Sequence, residues 1–333
     1  MQETNLYNKN RELLKLIGSY SKPDISKSVW QLVNSILPYI LLWPVMIYVS
    51  QISWWLVVPL AILAAGFVVR QFIIFHDCGH GSFLRSEYAS EMIGFVTGIL
   101  TLTPYYRWHN SHMIHHNTAG NLDHRGIGDV WTMTIDEYKN ATKWQKIKYR
   151  AYRNPMIMFF IGAPLIFLVT NRFTRRDFSR KERMSVYFTN MGIIAIACGI
   201  SAFTGFKTYL LIQLMITYFA SISGVFLFYV QHQFEDVHWY DDQSWDYSTV
   251  AIAGSSYFKL PRILQWFSGN IGFHHIHHLS SRIPNYNLEK CYSANKEFQA
   301  VKAITLKESF KTLKLKLWDN VEKKLVTYAQ AGF

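Results

Sequence analysis

Cysteine is scarce: Cys78, Cys198 and Cys291 are the only three in 333 residues, and no CxxC occurs among them. That excludes a disulfide framework and a thiolate metal site, and it fits a reducing compartment around the soluble parts. There is no HExxH, so the ligand pair and base of a zinc-protease helix are missing. The polar first 27 residues contain no short apolar core followed by a small-residue cleavage site, so no removable signal is expected. Internal repeats and low-complexity stretches are also lacking. Acidic residues are in deficit, 22 against 34 Lys and Arg, for a net charge of +12. In a soluble chain that excess would point to nucleic acid. Here it is read first as membrane topology, with attraction to anionic headgroups and to an acidic partner protein, and no nucleic-acid partner is expected.

What the chain does have is apolar runs, near residues 36–49, 54–75, 156–169, 187–203 and 209–230. Several reach the roughly 20 residues that a bilayer-spanning helix needs. Trp30, Trp54, Trp55 and Tyr229 stand at their ends, where amphipathic rings suit a headgroup boundary. Spans at about 30–49 and 53–75 are joined only around Gln51 and form one hairpin. Spans at about 185–203 and 207–230 turn at Gly205 and form a second. Arg172, Arg175, Arg176, Arg180, Lys181 and Arg183 precede the second hairpin, and the positive-inside rule places them in the cytoplasm. Lys9, Arg11, Lys15, Lys22 and Lys27 place the N-terminus there too. Residues 92–103 and 156–169 are short for spans and are expected to lie along or dip into the membrane; Gly162 and Pro164 suit a bent element.

The expected fold is therefore an all-α integral membrane protein of two transmembrane hairpins. It has four spans, with six as the tilted alternative, re-entrant or interfacial helices, and a cytoplasmic histidine-rich cap built for two metals. It reads as one domain over 1–333. A cytoplasmic segment covers 1–29, the first hairpin 30–75, a cytoplasmic and interfacial part 76–184, the second hairpin 185–231 and a final cytoplasmic part 232–333.

The 13 histidines are clustered. His76 and His80 lie in HDCGH, His112, His115 and His116 in HMIHH, and His274, His277 and His278 in HHIHH. On a helix, spacings of three and four put side chains on one face, so each window is a ready stripe of ligands. The topology brings all three windows to one side, and it delivers the lone His232 in YVQHQFED to the same side. So many neutral imidazoles can hold two metals with positions left open, whereas a single metal cannot use them all. His109 shares a face with His112 at a spacing of three; His124, His238 and His275 have no comparable support. Asp77, inside the first window, and Asn270, one turn before His274, are placed to orient imidazoles or a bound water.

The pattern HxxxH, HxxHH, HxxHH, with apolar hairpins before the first box and between the second and third, resembles the membrane fatty-acid desaturase family over most of the chain. The resemblance implies metal-ligand roles for His76, His80, His112, His115, His116, His274, His277 and His278, and for His232 through the QH of the last span. It implies a non-haem diiron centre of two Fe ions that uses O2 to place a cis double bond in an acyl chain, with no catalytic side chain beyond the metal ligands. WHNSHMIHHNTAGNLDHRGIGDVWTMT and HHLSSRIPNYNL are similar to the bacterial acyl-lipid branch, which acts on chains attached to membrane phospholipids and sits in the cytoplasmic membrane. No HPGG stretch is present, so a separate donor such as ferredoxin or flavodoxin is implied. The acyl chain is expected in a tunnel lined by the spans and by residues 92–103. A hydroxylase or ketolase on the same scaffold is the nearest alternative. A membrane metal transporter is a remoter one, since transport needs polar groups at mid-bilayer and these histidines follow span ends.

Overall fold

The computed structural model describes residues 17–126 and 128–333, so Lys9, Arg11 and Lys15 of the expected N-terminal segment lie outside the described residues. A helix entering lipid needs partners for its first N–H groups, and Asp24 supplies them, accepting from Ser26 and Lys27 at 3.0 and 3.2 Å. From this cap α1 runs Ile25–Ser50, and after a three-residue turn α2 runs Trp54–Gly79. The hairpin is longer at both ends than 30–75. It starts at the Asp24 cap, and the first histidine box continues the helix instead of following it. Next come α3 (Glu87–Leu100) and α4 (Tyr105–Thr118), which carries the second box. An irregular helix, α5, spans Pro155–Arg172. The second hairpin is α6 (Arg180–Thr204) and α7 (Phe206–His232), with His232 as the last helical residue. The link is Gly205 at φ 78° and ψ 143°, a backbone region open to glycine and costly for any residue with a Cβ. The third box forms the short α8 (His274–Leu279), followed by α9 (Asn285–Ala294).

α2 is the centre of the bundle. It buries 61% of its apolar stretch inside the protein, whereas the other four membrane-length helices among the described residues bury between 11% and 28%. Ala61, Ala64 and Ala65 let α1 and α7 approach it closely, and Tyr39, Trp43, Ile212 and Ile216 complete that core. The outward faces carry Trp30, Leu37, Leu41, Tyr48, Ile194 and Phe203, all exposed, as a lipid-facing surface requires.

Among the described residues five helices, α1, α2, α5, α6 and α7, are long and apolar enough to cross a membrane. α5 is the stretch expected to lie along or dip into it, and by length and apolarity it is among the helices able to cross. Near its start Phe159 packs on Phe226 and Tyr229, close to the end of α7; further on Phe167 meets Phe72 near the end of α2. Arg172 at its end bonds Asn190 of α6 and the Leu102 carbonyl. α5 thus packs along the C-terminal half of α7 and ends at the loop after α3. A π-turn over Met158–Gly162, just before Pro164, supplies the irregularity expected there.

The fold departs from all-α in the cap, where among the described residues two small sheets join distant segments. β1 (Met133–Thr134) pairs in parallel with β4 (Leu317–Asp319), which forms a hairpin with β5 (Lys324–Val326). β2 (Tyr257–Lys259) pairs in parallel with β3 (Ala303–Thr305). The strands have only two or three residues each, too short for an alternating pattern to mark them.

Candidate metal centre

The nine expected ligands divide into two groups. His76, His80, His112, His116 and His277 form one; His115, His232, His274 and His278 form the other, and within each group the candidate ligand atoms all lie within 4.8 Å of one another. Helical spacing explains the division. Side chains four apart stay together, as in His76/His80, His112/His116 and His274/His278, while the residue at i+3, His115 or His277, turns to the neighbouring group. Each triplet therefore serves both groups, which sharpens the expectation of one stripe per window. His232 balances the first box, which contributes only to the first group.

In both groups Nε2 atoms face each other. In the first, His112 Nε2 lies 3.0 Å from His80 Nε2 and 3.1 Å from His116 Nε2, and His277 Nε2 lies 3.1 Å from His116 Nε2. In the second, His232 Nε2 lies 3.2 Å from His115 Nε2 and 2.9 Å from His274 Nε2. A first-row ion bonded to two imidazole nitrogens at about 2.1 Å and right angles sets those nitrogens about 3.0 Å apart. The donor set and its spacing fit a metal ion in each group. Burial, and then the neighbouring histidines, hold His80, His112, His116, His274, His277 and His278 well below the ordinary imidazole pKa. They are neutral at pH 7, with lone pairs free for a metal.

One imidazole in each group is oriented by a carboxylate. His76 Nδ1 donates to Asp77 Oδ1 at 3.1 Å. Asp77 Oδ2 in turn accepts from the Asn285 backbone and side-chain N–H groups at 2.7 and 2.8 Å. Gln31 of α1 donates to Asn285 Oδ1 at 2.8 Å and completes the chain. In the second group His115 Nδ1 donates to Asp129 Oδ1 at 2.6 Å. Both bonds fix the tautomer that leaves Nε2 unprotonated. Asp129, Asn285 and Gln31 were not legible in the sequence, because no spacing connects them to a histidine box. Asn270 stands further out than expected. It bonds Gln265 and the Asn285 carbonyl, so it supports the Asp77 partner and touches no imidazole through these bonds.

The remaining histidines lie outside both groups. His109 neighbours Gly79, His124 pairs with Asp242 on the surface, and His238 bonds the Asp236 carbonyl. His275 is fully buried among Tyr257, Tyr292 and Phe298, and that burial pushes its pKa down to about 4. Ring packing steadies the ligands: Trp108 stacks on His112 with centroids 4.3 Å apart, and Phe228 lies against His115 and His232.

A cavity of about 590 Å³ reaches His76, His112 and His274 at one end and runs down between α2, α5 and α7. Val69, Phe72, Val225 and Phe228 give it an apolar wall, and of residues 92–103 only the last four, Leu100 to Thr103, line it. Its size is that of a site for a molecule with a long apolar part. Fold and site together define a helical membrane protein with a paired histidine centre at the head of an apolar cavity.

Residues 53–308 match the profile of the fatty acid desaturase family. The chain is 44% identical, over 98% of its length and 93% of the relative's, to a fatty acid desaturase of Bacillus subtilis (strain 168). It is 28% identical, over 83% of its length and 76% of the relative's, to an sn-1 acyl-lipid omega-3 desaturase (ferredoxin) of Nostoc sp. (strain 36). It is 26% identical, over 73% and 70%, to an sn-1 oleoyl-lipid 12-desaturase of Picosynechococcus sp.. The chain belongs to the fatty acid desaturase family, and its activity is that of an O2-dependent oxidoreductase on fatty acyl chains.

Proposed function

We propose that the chain places a cis double bond in a long acyl chain carried by a membrane phospholipid, with two iron ions as resident metals and a separate reductant such as ferredoxin or flavodoxin. The observation that carries this reading is the meeting of the apolar cavity with histidines of both groups. His76, His80, His112, His116 and His277 would hold one ion, and His115, His232, His274 and His278 the other. Methylene hydrogens are neither acidic nor electrophilic, so the bound ions supply the oxidising power that side chains lack. Removing two hydrogens from adjacent carbons while reducing O2 to two waters consumes two further electrons and two protons, hence the outside donor.

The chain's own residues do the rest. Val69, Phe72, Val225 and Phe228 surround the acyl chain and exclude water. Asp77 and Asp129 hold His76 and His115 in the tautomer that presents Nε2 to the ions. The words acyl-lipid and ferredoxin in the Nostoc relative's name support the phospholipid and the donor. The cationic run from Arg172 to Arg183 supports an active site on the cytoplasmic side of a bacterial membrane.

Expression in a bacterial host that lacks the activity, followed by mass-spectrometric location of new double bonds in its phospholipids, tests the reading. A hydroxylated or keto lipid without a new double bond would reject it. Spectroscopy of freshly made protein tests the metal, and an active sample that held zinc alone would reject iron.

A further inference from the structure

Leu100, Leu102 and Gln213 line two cavities at once. They bound the acyl cavity, and they also bound an outer apolar space of about 450 Å³ walled by Trp43 of α1, Ile196 and Ile200 of α6 and Tyr209 of α7. The two spaces therefore adjoin at these residues. Along α7 the acyl cavity is lined from Gln231, beside the histidines, through the small residues Gly224, Ser221 and Ala220, to Gln213. Gln213 lies 18 positions before Gln231 on α7, so it marks the end remote from the metal groups.

The partition is held in place. Leu102 has φ 54°, a backbone conformation that residues with a Cβ avoid. Its carbonyl accepts from Asn171 Nδ2 at 3.2 Å and from the Arg172 guanidinium, so the loop between α3 and α4 is pinned with the side chain between the cavities. Gln213 Nε2 donates to Thr217 Oγ1 at 3.0 Å, which turns the amide along its own helix. Both side chains thus have a reason to stay where they are.

We propose that Leu102 and Gln213 form the floor of the acyl cavity and set how far a chain reaches beyond the histidine groups. They thereby determine which carbon pair is presented and how long a chain is accepted. The inference rests on the desaturase reading above. An extended chain advances about 1.2 Å per bond, so opening the floor by the depth of one side chain admits about two or three more methylenes.

The test uses the full chain expressed in the same host, fed fatty acids of graded length. Leu102→Gly removes the floor side chain and suits the positive φ, so the pinned carbonyl keeps its partners. Gln213→Ala opens the floor from the α7 side. Each is expected to move the double bond two or three carbons toward the carboxyl end, or to raise the share of desaturated chains at least two carbons longer by about threefold or more. Ile196→Trp fills only the outer space. Alone it should keep the wild-type product profile, and combined with Leu102→Gly it should restore it. Wild-type profiles from both floor variants, in cells where they are active, would overturn the assignment. So would a shift that Ile196→Trp fails to reverse, since the added length would then not come from the outer space. If the wild-type protein makes no double bond at all, the desaturase reading fails instead, and the two failures are told apart.

Discussion

His115 and Asp129 are joined by a 2.6 Å contact between Nδ1 and Oδ1, the shortest link between a histidine of the second group and a carboxylate. It is the counterpart of His76 and Asp77 in the first group, yet its carboxylate stands 14 residues further along the chain, in the loop that leaves α4.

Asp129→Asn should keep the shape of the contact but lose the charge that stabilises the Nδ1–H tautomer. Loss of such a partner lowers metal affinity by about 10- to 100-fold. Iron content after graded chelation should show about half the metal leaving early, from the second group; equal retention of both ions would count against the role of Asp129.

His277→Ala deletes one of five candidate ligands in the first group and should abolish double-bond formation in the host while lowering bound metal. His275→Ala provides the contrast. That side chain is buried outside both groups, so the variant should retain metal per folded molecule and lose stability, by about 2 kcal/mol as for other buried truncations. Thermal unfolding in detergent alongside metal analysis checks the pair.

Arg153 is almost fully buried and makes its bonds to neutral acceptors, Gln233 Oε1 at 2.8 Å, the Leu315 carbonyl at 3.0 Å and Thr132 Oγ1 at 3.1 Å. It ties the end of α7 to the segment after Asp129 and to the C-terminal hairpin. Arg153→Ala removes the main donor to all three acceptors and leaves a buried gap, and it should cost about 3 kcal/mol. Arg153→Lys should recover little, because an ammonium cannot span the same fork. The midpoint of thermal unfolding decides.

Acid should loosen the metal-free protein. Burial depresses the folded-state pKa of His80, His112, His116, His274, His277 and His278, so below about pH 6.5 the unfolded chain binds more protons than the folded one. Stability present above that pH is then lost as pH falls toward the folded values. Bound metal competes with the protons and should displace the loss to lower pH. Unfolding midpoints across pH 7.5 to about 5, with and without metal, measure both effects.

Hydrophobic run length and histidine spacing are local properties, and they located the four long helices, both hairpins and all nine residues of the two groups. The helix ends moved because caps are side-chain events: Asp24 extends α1, and the first box is itself the last turn of α2. The short strands escaped notice because two or three residues carry no periodicity and their pairing partners lie far along the chain.

The sequence by itself determined that three windows and His232 would present imidazoles together, because i, i+3 and i+4 positions share a helix face and the order and charge of the spans bring the windows and His232 to one side. Only the tertiary structure decided which group each imidazole joins, that Asp129 orients His115, and that Leu102 and Gln213 stand between two cavities. Those relationships depend on how far and at what angle α2, α4, α7 and α8 meet. That geometry comes from packing across the bundle, which neighbours in sequence do not encode.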